Sequence, residues 1–357
     1  MGTDSVDSKL AANDLWRKGE SGLDGLGAGT IPPAPETAPP SQARGFLRAK
    51  SDSALADRLF QWGMLACALT IFLIVLFIFG ELAWQSRETI ARFGVTFFYR
   101  AVWDPVNENF GARSFIYGTL ISSFLALLLA VPLSISTAVF ITEMCPVPLR
   151  KPLSFLTELL AAIPSVVYGL WALVVLVPIL RTQIDPFLMR VLGWTGFFDG
   201  PDYGVSMLAA GIILAIMILP IISSITREVL STVPQSQREA ALALGATRWE
   251  MIRMGVLPNA RLGIAGGIIL GLGRALGETM AVTMVIGNRP EIARSLLAPG
   301  YTMASVLANE FTEATSSLYL SALIEIGLAL FLVTIVVNAL ARLLIWSVTR
   351  NAPARMS

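Results

Sequence analysis

The chain has 357 residues, of which 55% are hydrophobic and 14% are charged, whereas roughly a quarter of the residues of an ordinary soluble domain are charged. This composition leaves too little polar surface for a water-soluble fold, and the net charge of +1 excludes the strongly basic surface that electrostatic binding of nucleic acid requires. Histidine is absent, which excludes hydrolase centres that use a histidine base and the histidine-based zinc-protease motif.

The first 58 residues are polar and contain a proline-rich stretch, Ile31–Pro40. They carry too few large apolar side chains to form a core, so residues 1–58 are predicted to be a disordered tail. Residues 59–350 are predicted to form a membrane domain, and residues 351–357 a short second tail.

Six apolar stretches within the membrane domain are long enough to cross a bilayer, which takes about 20 helical residues. They are Gln61–Trp84, Phe115–Phe140, Leu153–Leu180, Val205–Ile225, Leu262–Ile286 and Leu318–Val348. The sequence therefore predicts an all-α integral membrane protein with six transmembrane helices. Prolines inside these stretches are expected to kink them, because neighbouring helices in a membrane can accommodate the lost hydrogen bonds; they are Pro132, Pro164, Pro178 and Pro220.

The orientation follows from lysine and arginine near the ends of the spans, which favour the cytoplasmic side. With the amino terminus inside, fourteen basic residues fall on inner segments and eight on outer segments. This difference predicts that both termini are cytoplasmic.

The sequence contains neither a metal cluster nor a nucleotide-binding loop. Cys67 and Cys145 are too isolated for a metal site, and both are expected to be buried as small hydrophobic residues. Gly271–Thr279 is rich in glycine, but Glu278 stands where a phosphate-binding loop needs lysine. We therefore expect that the chain does not hydrolyse ATP itself.

The inner segment of residues 226–261, between the fourth and fifth spans, is predicted to hold two short helices. Ser236 with Glu239, and Thr247 with Glu250, have the three-residue spacing of capping boxes. Between them, Gly245 suits the left-handed conformation that ends a helix, and Pro258 is expected to mark the stop before the next span.

Two other structures have a similar local pattern: a DNA-binding helix-turn-helix and an amphipathic loop resting on the membrane. The first does not fit, because membrane spans closely flank the segment on both sides. The segment is better placed to press a helical knob into a cytoplasmic partner.

Arg274 and Glu278 are the only charged residues that the sequence places in the central part of a predicted span. Each costs roughly 2.5 to 3.5 kcal/mol at the bilayer centre on insertion scales. In a continuous helix they share one face with three glycines that allow another helix to approach closely, Gly263, Gly267 and Gly271.

The pair has two interpretations. The two charges can simply neutralise each other at a structural contact. Alternatively, the planar guanidinium of Arg274 offers a transient site for an oxyanion, while Glu278 prevents it from holding the ion too tightly. Thr279 and Thr283 are weaker candidates for hydroxyl groups that line the same pathway.

Several residues of the inner segment resemble the cytoplasmic signature loop of ABC importer permeases. They are Glu239, Ala240, Ala241, Gly245, Ile252, Leu257 and Pro258. The resemblance implies the type I ABC importer (MetI-like) permease fold and a loop that docks into a groove of the ATPase subunit, with Glu239 and Gly245 shaping the knob and Ala240 and Ala241 allowing close approach. The capping pair Thr247 and Glu250 belongs to the same loop.

Further stretches resemble phosphate-specific permeases of the PstC type. They are Trp103-Asp104-Pro105 with Phe110-Gly111, Tyr117–Leu120, Glu158–Leu173 and Gly273–Thr279. The resemblance implies a non-enzymatic subunit, without a cofactor, that translocates inorganic phosphate across the bacterial inner membrane by alternating access. The implied partners are a PstA-type permease, a dimer of a PstB-type ATPase, a periplasmic phosphate-binding protein and membrane lipid. An importer of sulfate or molybdate, or a phosphate-signalling membrane scaffold, remains an alternative.

Overall fold

The computed structural model describes the backbone of residues 50–200 and 203–350. Most of the predicted amino-terminal tail, residues 1–49, and the carboxy-terminal tail lie outside the described residues. The described residues divide into two units between Ile71 and Phe72. From residue 50 onward the first unit is a single helix, in which Cys67 is exposed. The expectation of burial is therefore wrong for Cys67 but confirmed for Cys145.

The described residues are helical apart from their connecting loops. The helices are α1 (Lys50–Gln85), α2 (Arg87–Phe93), α3 (Arg113–Met144), α4 (Val147–Ala162), α5 (Ser165–Thr195), α6 (Met207–Ser231), α7 (Gln235–Ala243), α8 (Arg248–Leu276), α9 (Met280–Val285), α10 (Met303–Glu310) and α11 (Ser317–Arg350). Within this part of the chain, six helices are long and apolar enough to cross a membrane: α1, α3, α5, α6, α8 and α11. The predicted number of spans is confirmed.

The second unit is built around α6, which packs against α3, α4, α5, α8 and α9. The side chains of α6 are apolar on most sides of the helix. A helix of this kind is buried by neighbours on several sides instead of along one face. Its contact with α8 is close because the glycines of α8 face bulky residues of α6: a side chain at Gly263 would meet Val229, and one at Gly271 would meet Ile222. The predicted close approach of a helix along these glycines is confirmed.

The third span differs from the prediction. The stretch Leu153–Leu180 is not one helix, because α4 ends at Ala162 and Ile163 is extended. A residue that precedes proline is driven out of the helical conformation, so Pro164 separates two helices instead of kinking one. The span itself is α5, and α4 is a separate helix that has no buried residue in this chain.

The other three prolines lie inside helices, as predicted. Pro132 and Pro220 lie within α3 and α6, and Pro178 lies in α5 between two π-helical segments, Ala172–Leu176 and Leu180–Ile184. A π-helical turn shifts the hydrogen-bond partners by one residue. This shift helps a helix to continue although proline has no N–H to donate.

Candidate coupling segment and translocation site

The segment between α6 and α8 contains one separate short helix, α7. After its last residue, the backbone of Gly245 adopts a left-handed conformation with φ +85°. The N–H of Gly245 donates to the carbonyl of Leu242 (3.0 Å) and that of Ala246 to the carbonyl of Ala241 (3.2 Å). These two bonds form a Schellman motif, so the predicted role of Gly245 as a helix terminator is confirmed.

The two predicted capping boxes have different outcomes. The box of Ser236 and Glu239 is wrong, because α7 already begins at Gln235, behind Pro234, and no side chain caps it. Pro234 occupies the N-cap position, and its ring has no oxygen that could accept a bond from the first turn. The box of Thr247 and Glu250 is confirmed: the Thr247 N–H donates to Glu250 Oε2 (2.8 Å) and the Glu250 N–H donates to Thr247 Oγ1 (3.3 Å).

The second predicted helix of the segment is not separate, because the helix that Thr247 caps is the first turn of α8. Pro258 does not stop it, so that expectation is wrong. The residues before Leu257-Pro258, Ile252–Val256, form a π-helical turn in which the Leu257 N–H donates to the carbonyl of Ile252. As in α5, the wider turn allows the helix to continue past its proline.

The knob formed by α7 and the following turn exposes small and acidic residues together with two large apolar side chains, Leu242 and Leu244. Glu239, Ala240 and Gly245 are exposed, as their predicted docking role requires. Leu244 is 90% exposed at the tip. Leu244 therefore offers apolar surface beside the exposed small and acidic residues. Sequence reasoning missed Leu244, although its position directly before Gly245 places it at the turn.

On its other side, α7 is fastened to three long helices. Arg238 forms an ion pair with Glu143 at the end of α3. It also donates to the carbonyl of Leu230 in the last turn of α6 and to that of Val233 in the loop before α7. Toward α8, the amide of Asn259 donates to Gln237 (2.7 Å). Sequence reasoning counted Arg238 only as an inner positive charge, because its acidic partner lies 95 residues away in the sequence.

The predicted pair in the fifth span lies at a break in the helix. The expected continuous span Leu262–Ile286 is wrong: α8 ends at Leu276, and α9 begins at Met280 after Gly277, Glu278 and Thr279. Glu278 therefore does not share the helical face of the three glycines. In the structure the fifth span is α8, Arg248–Leu276, and Arg274 lies in its last turn.

Arg274 and Glu278 are loosely paired in the structure. Arg274 Nη2 lies 3.9 Å from Glu278 Oε2, and the side chains are 44% and 7% exposed. The Ala281 N–H faces Glu278 Oε1 at 3.5 Å, so the carboxylate sits at the start of α9. The Thr279 hydroxyl donates to the Gly277 carbonyl (3.3 Å). Among the described residues, the Arg274 guanidinium is paired only with Glu278, at 3.9 Å. The pair lies at a helix break, and membrane transporters often bind ions at such interruptions.

A further charged residue lies inside one of the predicted apolar stretches, which corrects the expectation that only Arg274 and Glu278 do so. Glu325 of α11 is buried, and its Oε2 atom has no hydrogen-bond partner among the described residues. Its position within the apolar stretch Leu318–Val348 was sufficient to reveal it. A buried carboxyl inside a span is costly and is typical of functional positions.

The described residues form six membrane-length helices, with an exposed helical knob between the fourth and the fifth and a charged helix break in the fifth span. These features are typical of the membrane components of transport systems. Residues 130–350 match the family of the binding-protein-dependent transport system inner membrane component, which is more than half of the chain. This match supports the predicted type I ABC importer (MetI-like) permease fold and a multi-pass membrane protein.

Curated relatives narrow the family further. The chain is 46% identical over 305 residues to the phosphate transport system permease protein PstC of Mesorhizobium japonicum, covering 84% of this chain and 93% of that protein. It is 46% identical over 304 residues to PstC of Xylella fastidiosa, with the same coverage, and 41% identical over 294 residues to PstC 2 of Mycobacterium tuberculosis, covering 80% and 90%. The chain belongs to the PstC family of phosphate transport system permeases.

One solved structure similar to this chain is a bacterial ABC transporter involved in the import of the acidic polysaccharide alginate. The two chains are 17% identical with a TM-score of 0.49, and the alignment covers 86% of this chain and 99% of that chain. The family match and the six membrane-length helices are what show the permease fold.

Proposed function

We propose that this chain is a permease subunit of an ATP-driven importer that moves inorganic phosphate across the bacterial inner membrane by alternating access. The observation that carries the proposal is the α7 knob, which is exposed on one side and fastened on the other to α3, α6 and α8. Such a knob can receive a push from a partner and pass it to the membrane helices. The named function of the PstC relatives supplies the substrate.

The proposed complex follows from what this chain lacks and what it exposes. Gly271–Thr279 has no phosphate-loop lysine, so ATP hydrolysis belongs to a separate PstB-type ATPase dimer that contacts Glu239, Ala240, Gly245 and Leu244. A PstA-type permease completes the membrane pathway, and a periplasmic phosphate-binding protein delivers the ion. With α7 toward the ATPase, both termini are cytoplasmic, which agrees with the fourteen-to-eight distribution of basic residues.

In this mechanism, ATP closes the nucleotide-binding dimer, and the movement of α7 carries the ends of α3, α6 and α8 with it. The helix break at Gly277–Thr279 gives the pathway a polar point between α8 and α9. There, Arg274 donates hydrogen bonds to the passing oxyanion, and the nearby Glu278 carboxylate weakens that hold so that the ion leaves. Thr279 offers a hydroxyl beside them. Because the binding protein selects the ion, one arginine suffices on the route.

Copurification and transport test this proposal. A tagged chain expressed with its native operon partners is expected to copurify with an ATPase and a second six-span permease. The complex in proteoliposomes is expected to take up labelled phosphate only with ATP and the binding protein present. ATP hydrolysis stimulated by sulfate or molybdate, but not by phosphate, would assign the importer to another oxyanion, and copurification without uptake of any anion would favour a signalling scaffold.

Cysteine labelling tests the orientation. In a Cys67→Ala background, Gln235→Cys places a thiol at the exposed start of α7, and Val106→Cys places one in the exposed loop before α3. An impermeant maleimide applied to intact spheroplasts is expected to label position 106 only, and inside-out vesicles are expected to give the opposite pattern. Labelling of position 235 from the outside would overturn the proposed contact with a cytoplasmic ATPase.

A further inference from the structure

Glu143 lies where the end of α3 widens into a π-helical segment, Phe140–Met144. Its side chain is 6% exposed, and both carboxylate oxygens are paired with one guanidinium: Arg238 Nη2 donates to Oε1 at 2.9 Å, and Nε donates to Oε2 at 3.2 Å. Two parallel bonds of this kind fix the orientation of both side chains as well as their distance. The end of α3 and the middle of α7 are therefore held in one geometry.

The same guanidinium holds a third helix. Arg238 also donates to the carbonyl of Leu230 (2.9 Å) and to that of Val233. Carbonyl groups at a helix carboxy terminus have no partner within the helix, and a positive charge there interacts favourably with the helix dipole. Arg238, which is only 13% exposed, thus joins α7 to α3 through two hydrogen bonds and to the end of α6 through one, and a fourth bond holds the loop between α6 and α7.

On the opposite flank, α7 rests on the π-helical segment of α8. Gln237 accepts the bond from Asn259, and the Cβ atom of Ala241 lies near the Gly255 backbone, where a side chain would come into contact with it. This second contact is made by exposed side chains and by van der Waals packing. Of the contacts that hold α7, those made by Arg238 are the charged and buried ones.

We infer that Arg238 and Glu143 are a positioning pair that couples α7 to the membrane helices, so that movement imposed on the knob reaches the translocation pathway. The inference rests on the proposed function and concerns how that function is executed. Glu239, the next residue of α7, is exposed toward the expected ATPase contact, whereas Arg238 is turned inward. A knob attached only through α8 would yield under load, and hydrolysis would then proceed without transport.

A second ion pair of the same region provides the matched control. Arg227 of α6 and Glu158 of α4 lie 2.6 Å apart, but neither residue belongs to α7. The test compares Arg238→Gln and Glu143→Gln with Arg227→Gln and Glu158→Gln in the reconstituted complex. The measured quantities are ATPase copurification, ATP hydrolysis rate and phosphate taken up per ATP hydrolysed.

We expect Arg238→Gln and Glu143→Gln to retain the ATPase subunit and to hydrolyse ATP while uptake per ATP falls about ten-fold, a typical size for the loss of coupling between two sites. Arg238→Lys, which keeps the charge but not the fork, is expected to have an intermediate ratio. The control variants should keep the ratio of the unaltered complex. An unchanged ratio in both Gln variants overturns the inference while leaving the proposed function intact, since the unaltered complex would still transport phosphate.

Amide hydrogen exchange tests the inference even if a variant does not assemble with the ATPase. In the isolated permease pair, Arg238→Gln is expected to raise amide exchange in α7 while α6 and α8 keep their protection. A uniform rise throughout the spans would overturn the inference, because it would assign the pair to general stability. Unchanged exchange in α7 would overturn it as well.

Discussion

Replacing Gly263 with alanine should drive α8 away from α6. The added Cβ atom would lie 2.5 Å from one methyl carbon of Val229 and still closer to the other, about 1 Å short of the separation at which carbon atoms fit. Valine in a helix has one strongly preferred rotamer, so the side chain cannot swing aside. We expect an overpacking cost of about 1–3 kcal/mol, reduced by at most about 1 kcal/mol because alanine favours the helix more than glycine does.

Gly266 is the matched control in the same helix, because a Cβ atom there meets nothing within 4 Å. Thermal unfolding of the purified protein is followed by tryptophan fluorescence. The unfolding temperature of Gly263→Ala should be several degrees lower than that of the unaltered protein, and the unfolding temperature of Gly266→Ala should be unchanged or slightly higher. Adding Val229→Ala should relieve the clash and recover part of the loss. Equal stability of the two glycine variants, or no recovery in the double variant, would refute the packing argument.

Three further outcomes are expected. Leu244→Ser should weaken ATPase copurification about ten-fold without changing the unfolding temperature, since the side chain is exposed; unchanged ATPase recovery would remove Leu244 from the contact. Arg274→Gln and Glu278→Gln should assemble but lose phosphate uptake, and unaltered uptake in both would exclude them from the pathway. Thr247→Ala should cost about 1 kcal/mol of helix-cap stability, measured as faster amide exchange in the first turn of α8.

The amino-acid sequence alone determined the number of spans and the local ends of helices. A run of about 20 apolar residues must become a helix in a bilayer because no water is available to its backbone, and the described part of the chain has six helices of this kind, although the third and fifth predicted runs are each divided between two helices. The turn at Gly245 and the cap of Thr247 and Glu250 were also predictable. In both cases the bonded residues are only a few positions apart in the sequence, so the local sequence is sufficient to predict the hydrogen bonds.

Only the tertiary structure decided where spans break and which charges meet. The break at Gly277–Thr279 occurs in a stretch that reads as continuous helix, because local preferences are weak compared with packing against other helices. Arg238 and Glu143 come together across 95 positions of sequence, which no spacing rule connects. The sequence contained every residue of the proposed coupling pair and of the pathway, but their contacts depend on the three-dimensional arrangement of α3, α6, α7 and α8, since an ion pair forms only where folding brings its members within hydrogen-bond distance.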